Sequence, residues 1–181
     1  HSSGSTTLLL CEAANPGTFS KLLLIEPIVP VVANPFPDGG NPMAAGARRR
    51  RAAFDSAGAM IDAFRDRPPF NTWSPDALRL YAEQGTRRAG DGVALKCLPE
   101  HEARFYEAVF SFDPETFRKV QCPVMLVEGE RSDGMRGGMF EKARDLLPHA
   151  TVETVAGAGH FIPQEQPSTV ARLIEEFAAG G

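Results

Sequence analysis

Cys122-Pro123-Val124-Met125-Leu126-Val127-Glu128-Gly129 is an apolar run closed by proline at one end and glycine at the other, and its reading decides the fold. Four consecutive apolar side chains leave no polar face, so the segment reads as a strand covered on both sides in a parallel sheet. Leu22-Leu23-Leu24-Ile25, within 21–26 and ended by Pro27, repeats the pattern. Downstream, residues 140–147 read as a helix stopped by Pro148, and residues 151–155 as a shorter strand of alternating character. Strand, helix and strand in quick succession mark a parallel α/β architecture. Residues 6–14 read as a buried helix before the stop Asn15-Pro16-Gly17. Residues 167–178 read as a closing helix with Pro167 at its start and Gly180 and Gly181 at its end.

Residues 29–118 break this rhythm. They begin rich in proline and glycine, then turn helical over 44–64, 75–84 and 99–109, and read as an insertion between two sheet strands. The insertion holds Trp73, both tyrosines and eight of the twelve phenylalanines. Most of these rings pack the insertion itself, and a few are expected to line an apolar pocket. The expected division is 1–28 for the start of the core, 29–118 for a helical lid and 119–181 for the remainder of the core.

With 181 residues and 43% hydrophobic composition, the chain can bury a sizeable core. Its net charge of −4 repels polyanions, which argues against nucleic acid as a partner. The run Arg48 to Arg51 spreads around a helix at helical spacing and makes no basic stripe. Cys11, Cys97 and Cys122 lie far apart without metal-ligand spacing, so neither a disulfide framework nor a zinc site is expected. Such thiols fit a reducing compartment, and a cytoplasmic location is the expectation. No apolar run reaches the eighteen or so residues that span a bilayer.

The chemistry-bearing residues lie at strand ends. The chain opens His1-Ser2-Ser3-Gly4-Ser5 directly before a helix. Small residues on both sides permit a turn tight enough to push a serine hydroxyl over a sheet edge, and Ser2, with Gly4 two residues on, is the candidate nucleophile. The same stretch also reads as a plain helix cap. A serine needs an imidazole to take its proton. Among the four histidines, His160 lies in Gly157-Ala158-Gly159-His160-Phe161, a glycine-rich turn just past a strand. His149 follows Pro148 at a helix end, His101 sits in a charged helix start, and His1 falls inside the turn before Ser2. The base needs a carboxylate to fix its tautomer. Asp133 in Gly129-Glu130-Arg131-Ser132-Asp133 follows a strand, although an Asp before Gly134 also serves as an ordinary turn former. Glu130 and Glu26 are its rivals, Glu26 because it closes the preceding strand at the same sheet edge.

Ser, Asp and His in that order, each at or just past the C-terminal end of a strand, resemble the α/β-hydrolase superfamily in its lid-bearing branch of esterases, lactonases and carbon–carbon hydrolases. The resemblance runs from His1–Gly4 to the last helix. It is most specific in Cys122-Pro123-Val124 leading to Gly129 and Asp133, and in Gly157–Phe161 followed by Pro163 and Pro167. It implies a partial α/β-hydrolase fold made of the last three parallel strands, their flanking helices and an inserted helical lid. It implies a Ser2, His160 and Asp133 triad, an oxyanion-binding N–H from Ser3 and no cofactor or metal. The implied substrate is a small or medium ester, lactone or thioester with an apolar part. A ring-cleavage product split at a carbon–carbon bond, and a non-catalytic ligand-binding protein on the same fold, are the alternatives. The earlier strands and the second oxyanion donor are absent from this sequence. The N-terminal portion of the same protein is therefore an expected partner, and the chain alone is expected to be inactive and barely able to fold.

Overall fold

Alternation of side chains along two apolar strands organises the core. In the computed structural model, which describes residues 1–30, 40–108, 112–132 and 138–180, the chain runs through α1 (Ser3–Ala14), β1 (Leu22–Ile25), α2 (Pro42–Arg49), β2 (Ala53–Phe54), α3 (Ala57–Phe64), α4 (Pro75–Gln84), β3 (Thr86–Ala89), β4 (Gly92–Leu95) and α5 (Pro99–Ala108). It continues through β5 (Val124–Gly129), α6 (Met139–Leu146), β6 (Thr151–Val155), α7 (Ile162–Glu165) and α8 (Pro167–Ala179). The chain divides into two units, residues 1–35 with 110–181, and residues 36–109.

In the first unit a parallel sheet has the order β1-β5-β6. Leu22 and Leu24 of β1 join Val124 and Leu126 of β5 on one face, packed with Leu9 and Ala13 of α1 and Ala143 and Leu146 of α6. Ile25 and Val127 point the other way, toward Val170 and Leu173 of α8 and Ile162 of α7. Because successive side chains of a strand point to opposite faces, an all-apolar strand requires helices on both sides, and this unit supplies them. The helices show the matching period: α1 buries Ser5, Thr6, Leu9, Glu12 and Ala13, and α8 buries Val170 and Leu173. In β6 only Val155 is buried, in place of an alternating pattern.

The second unit contains a small antiparallel sheet, order β2-β4-β3, besides its helices. The helix read over 44–64 is two helices, α2 and α3, separated by β2, and Ser56 caps the second through its Oγ, which accepts from Ala59 N at 3.0 Å. Phe54, Met60, Ala82 and Leu95 form this unit's core. The arginine run is consumed locally. Arg48 pairs with Glu100 and Glu107, and Arg50 pairs with Glu102 and donates to the Tyr81 hydroxyl at 2.6 Å.

Candidate active site

The turn from His1 into α1 carries Ser2 in an unusual backbone conformation, φ 55° and ψ −127°. For a residue with a Cβ this region is sparsely populated and costs on the order of 1–3 kcal/mol, so the surroundings must hold it. They do so through the end of β1. Ser2 N–H donates to Ile25 O at 2.8 Å, and the buried Ser5 hydroxyl both donates to Ile25 O at 3.2 Å and accepts from Ile25 N–H at 3.1 Å. Thr6 Oγ1 repeats the arrangement at Ile28, donating to its O at 2.8 Å and accepting from its N at 3.1 Å. The Ser2 side chain does not cap α1, so its hydroxyl is not spent on the helix end. Ser3 opens α1, where the first N–H groups have no intrahelical partner.

His160 is brought to the same edge by the loop after β6. That loop is fastened to the end of β5: Glu130 N–H donates to Val155 O at 3.0 Å, Arg131 N–H to Ala158 O at 2.8 Å, and the Arg131 guanidinium to Gly157 O. The Glu130 carboxylate accepts from Gly157 N–H at 2.7 Å, which engages this rival acid in holding the loop. Gly159 N–H donates to Glu165 Oε2 at 2.8 Å. The imidazole of His160 is 17% exposed and contacts two rings, His1 at 4.6 Å and Phe161 at 4.9 Å between centroids. His1 Nε2 donates to the His160 carbonyl oxygen at 2.8 Å. The residue immediately before Ser2 is therefore in contact with the candidate base.

Glu26 is the carboxylate beside that base. It lies directly after β1, is 3% exposed, and has a positive φ of 49°. Its Oε2 is 3.5 Å from His160 Nδ1 and accepts from the Ser132 hydroxyl at 2.7 Å, and its Oε1 accepts from Gly129 N–H at 2.7 Å. A carboxyl group this deeply buried is tolerated only with donors aimed at it, and Gly129 N–H and the Ser132 hydroxyl supply them. Separations slightly longer than a hydrogen bond are usual between catalytic partners before substrate binds. Asp133 lies outside the described residues.

The other two histidines are elsewhere. His149 Nε2 donates to Cys122 O at 3.2 Å, before the start of β5, and His101 lies in α5 of the second unit. Among the described residues no group of three or more His, Cys, Asp and Glu side chains is arranged to hold a metal ion, and no helix is long and apolar enough to cross a membrane. In the sequence Ser5 reads as a small residue of the turn, Thr6 as the start of the helix over 6–14, and His1 as a position within the turn. Their contacts span 20, 22 and 159 residues of chain, and no local pattern announces them.

A family model described as "Alpha/beta hydrolase family" matches residues 1–173. Over 73 residues the chain is 34% identical to carboxylesterase YbfK of Bacillus subtilis, a match covering 40% of this chain and 25% of that protein. Over 102 residues it is 28% identical to 2-(acetamidomethylene)succinate hydrolase of Mesorhizobium japonicum, covering 56% and 37%. The solved structure of E-2-(acetamidomethylene)succinate hydrolase superposes with a TM-score of 0.76 at 22% identity, over 98% of this chain and 64% of the other. The peroxisomal alpha-beta-hydrolase Lpx1 from Saccharomyces cerevisiae gives 0.81 at 20% identity, over 98% and 50%. The chain thus spans less than two thirds of the length of each of these relatives.

Proposed function

The chain belongs to the alpha/beta hydrolase family, and from that premise we propose that it carries the nucleophile and base of a serine hydrolase acting on a small or medium carboxylic ester, lactone or thioester. The observation that carries the reading is the backbone of Ser2: a serine held at φ 55° on the turn between the sheet edge and α1, with its hydroxyl not used as a cap. Strain of that kind persists where it aims a side chain.

In the proposed reaction the Ser2 hydroxyl adds to the substrate carbonyl carbon while His160 takes its proton. The oxygen that gains the electron pair is stabilised by the N–H of Ser3 together with a second donor from the N-terminal portion of the protein. Collapse expels the alcohol or thiol, which receives the proton from His160. Water, deprotonated by His160, then releases the acid and restores Ser2. Glu26 orients His160 and offsets the positive charge that forms on it, a role supported by the 3.5 Å approach to Nδ1. Asp133 is the second reading for that role. It is supported by its place after β5 and by its neighbour Ser132, which hydrogen-bonds the Glu26 carboxylate. The second unit is proposed to act as a lid that selects the apolar part of the substrate, on the strength of its place in the chain between β1 and β5 and its ring cluster Phe64, Phe70, Trp73 and Tyr81.

Fluorophosphonate labelling tests the nucleophile in the protein as its gene encodes it. Ser2→Ala is expected to abolish labelling and nitrophenyl ester hydrolysis together, and retained labelling would move the nucleophile elsewhere. Glu26→Gln and Asp133→Asn, compared by kcat, separate the two carboxylates, the larger loss identifying the partner of His160. Turnover of vinylogous diketones in place of esters would shift the reaction to carbon–carbon bond hydrolysis.

A further inference from the structure

The His1 side chain is absent from the reaction just described, yet it touches the candidate base. Its Nε2 lies 2.8 Å from the carbonyl oxygen of His160. A carbonyl accepts only, so Nε2 must carry the hydrogen, and the neutral ring is fixed as the Nε2–H tautomer. The ring also lies 4.6 Å from that of His160 at a 42° tilt, and 6.0 Å from that of Phe161. On the N-terminal side of His160 the loop is tied to the end of β5 and to Glu165 through Ala158 O and Gly159 N–H. On the far side of these ties, at the carbonyl of His160 itself, the donor is His1.

The link has an unusual economy of connection. His1 is bonded to Ser2 through one peptide, so the hydrogen bond to residue 160 joins nucleophile and base without an intervening loop. Resting on the assignment of Ser2 and His160 made above, we propose that His1 is a positioning residue. It holds the main chain of His160 in register with Ser2, and the turnover rate depends on its Nε2–H donor and not merely on the space its ring fills.

Three substitutions separate these contributions. His1→Phe keeps a ring and removes the donor, His1→Gln keeps an amide N–H near the place of Nε2, and His1→Ala removes both. His1→Phe and His1→Ala are expected to lower kcat and the rate of fluorophosphonate labelling by about ten- to a hundredfold, the loss that misplacement of a reacting group by about 1 Å produces. KM should stay close to its original value, and His1→Gln should recover most of the rate. Wild-type rates in His1→Phe, or equal losses in His1→Phe and His1→Gln, overturn the proposal. If His1→Phe does not fold, ¹⁵N NMR of the unsubstituted protein with labelled histidine decides the matter. An Nε2–H tautomer at His1 supports the bond, and an Nδ1–H tautomer overturns it. Failure of Ser2 to label in the unsubstituted protein would instead remove the serine hydrolase reading, so the two failures are distinguishable.

Discussion

Gly129 is the position where a single methyl group tests the geometry of the site most severely. A Cβ built there meets Gly159 O at 2.3 Å, Ala158 O at 2.5 Å and the Ala158 carbonyl carbon at 2.9 Å. Carbon–oxygen contacts settle near 3.3 Å, so Gly129→Ala requires the two segments to part by about 1 Å. All three obstructing atoms are main chain, and no side-chain rotation relieves the clash. The end of β5 cannot retreat freely, because Gly129 pairs with Val155 and its N–H donates to Glu26 Oε1. The loop ahead of His160 must move, or the Glu26 carboxylate must. Overpacking of this kind costs about 1–3 kcal/mol, and in a domain of this size each kcal/mol lowers Tm by about 2–4 °C. The same displacement shifts the candidate base His160 against Ser2, so on the proposed mechanism kcat is expected to fall by about a hundredfold. Thermal unfolding and nitrophenyl ester hydrolysis of the protein as its gene encodes it give both numbers. A variant with unchanged Tm and unchanged kcat would refute the account of how the loop after β6 is seated.

Ser5→Ala should cost stability and activity together: the buried Ile25 N–H loses its partner at a cost of about 1–3 kcal/mol, and Ser2 loses the support of Ile25, so a urea midpoint that stays put would contradict the role given to Ser5. Glu12 is 1% exposed, and its carboxylate is held below the usual 4.5 because Gly17 N–H and then Phe19 N–H donate to it. Since its pKa is lower folded than unfolded, its contribution is complete above 4.5 and is lost as pH falls through the folded value. Glu12→Gln should therefore lower the urea midpoint at pH 7, with the gap to the unsubstituted protein closing at acid pH, and a gap independent of pH would exclude the carboxylate charge as the cause.

The parallel strands are legible in the sequence because a strand buried on both faces must be apolar throughout, and Leu22–Ile25 and Val124–Val127 are. The antiparallel sheet of the second unit is not legible from periodicity, since Ala53–Phe54 offers only two residues to β4. A usable signal for β3 and β4 did exist in Ala89-Gly90-Asp91-Gly92, where Gly90 takes φ 58° and Gly92 leaves room for Phe54 O, 2.4 Å from where a Cβ would sit. At the candidate site, Ser2 and His160 are singled out in the sequence by the small and glycine-rich residues around them, and the structure brings His1, beside Ser2, into contact with His160. The preference for Asp133 over Glu26 rests on position after a strand, and that cannot tell apart two carboxylates that each follow a strand in the sequence. The approach of Glu26 to His160 follows from β1 lying beside β5, a property of strand order that no local pattern contains.

Among the described residues, Ser2 and Glu26 are the non-glycine residues with positive φ. Their coincidence with the candidate nucleophile and a candidate partner of the base has a common physical origin. Both segments turn sharply at the C-terminal edge of the sheet, and glycine, the usual residue for such turns, could not supply the side chain that the proposed roles require at either. The strain, on the order of 1–3 kcal/mol at each, is opposed by hydrogen bonds around the two turns. Ser2 N–H and the Ser5 hydroxyl hold Ile25, next to Glu26, and Thr6 holds Ile28, while Glu26 itself is tied to β5 by its N–H, which donates to Val127 O at 2.9 Å. The bonds to Ile25 and Ile28 thus tie the turn at Ser2 to the segment that carries Glu26. Such support couples the stability of the α1–β1 junction to the placement of the candidate nucleophile, so substitutions at Ser5 or Thr6 are expected to lower activity through the fold.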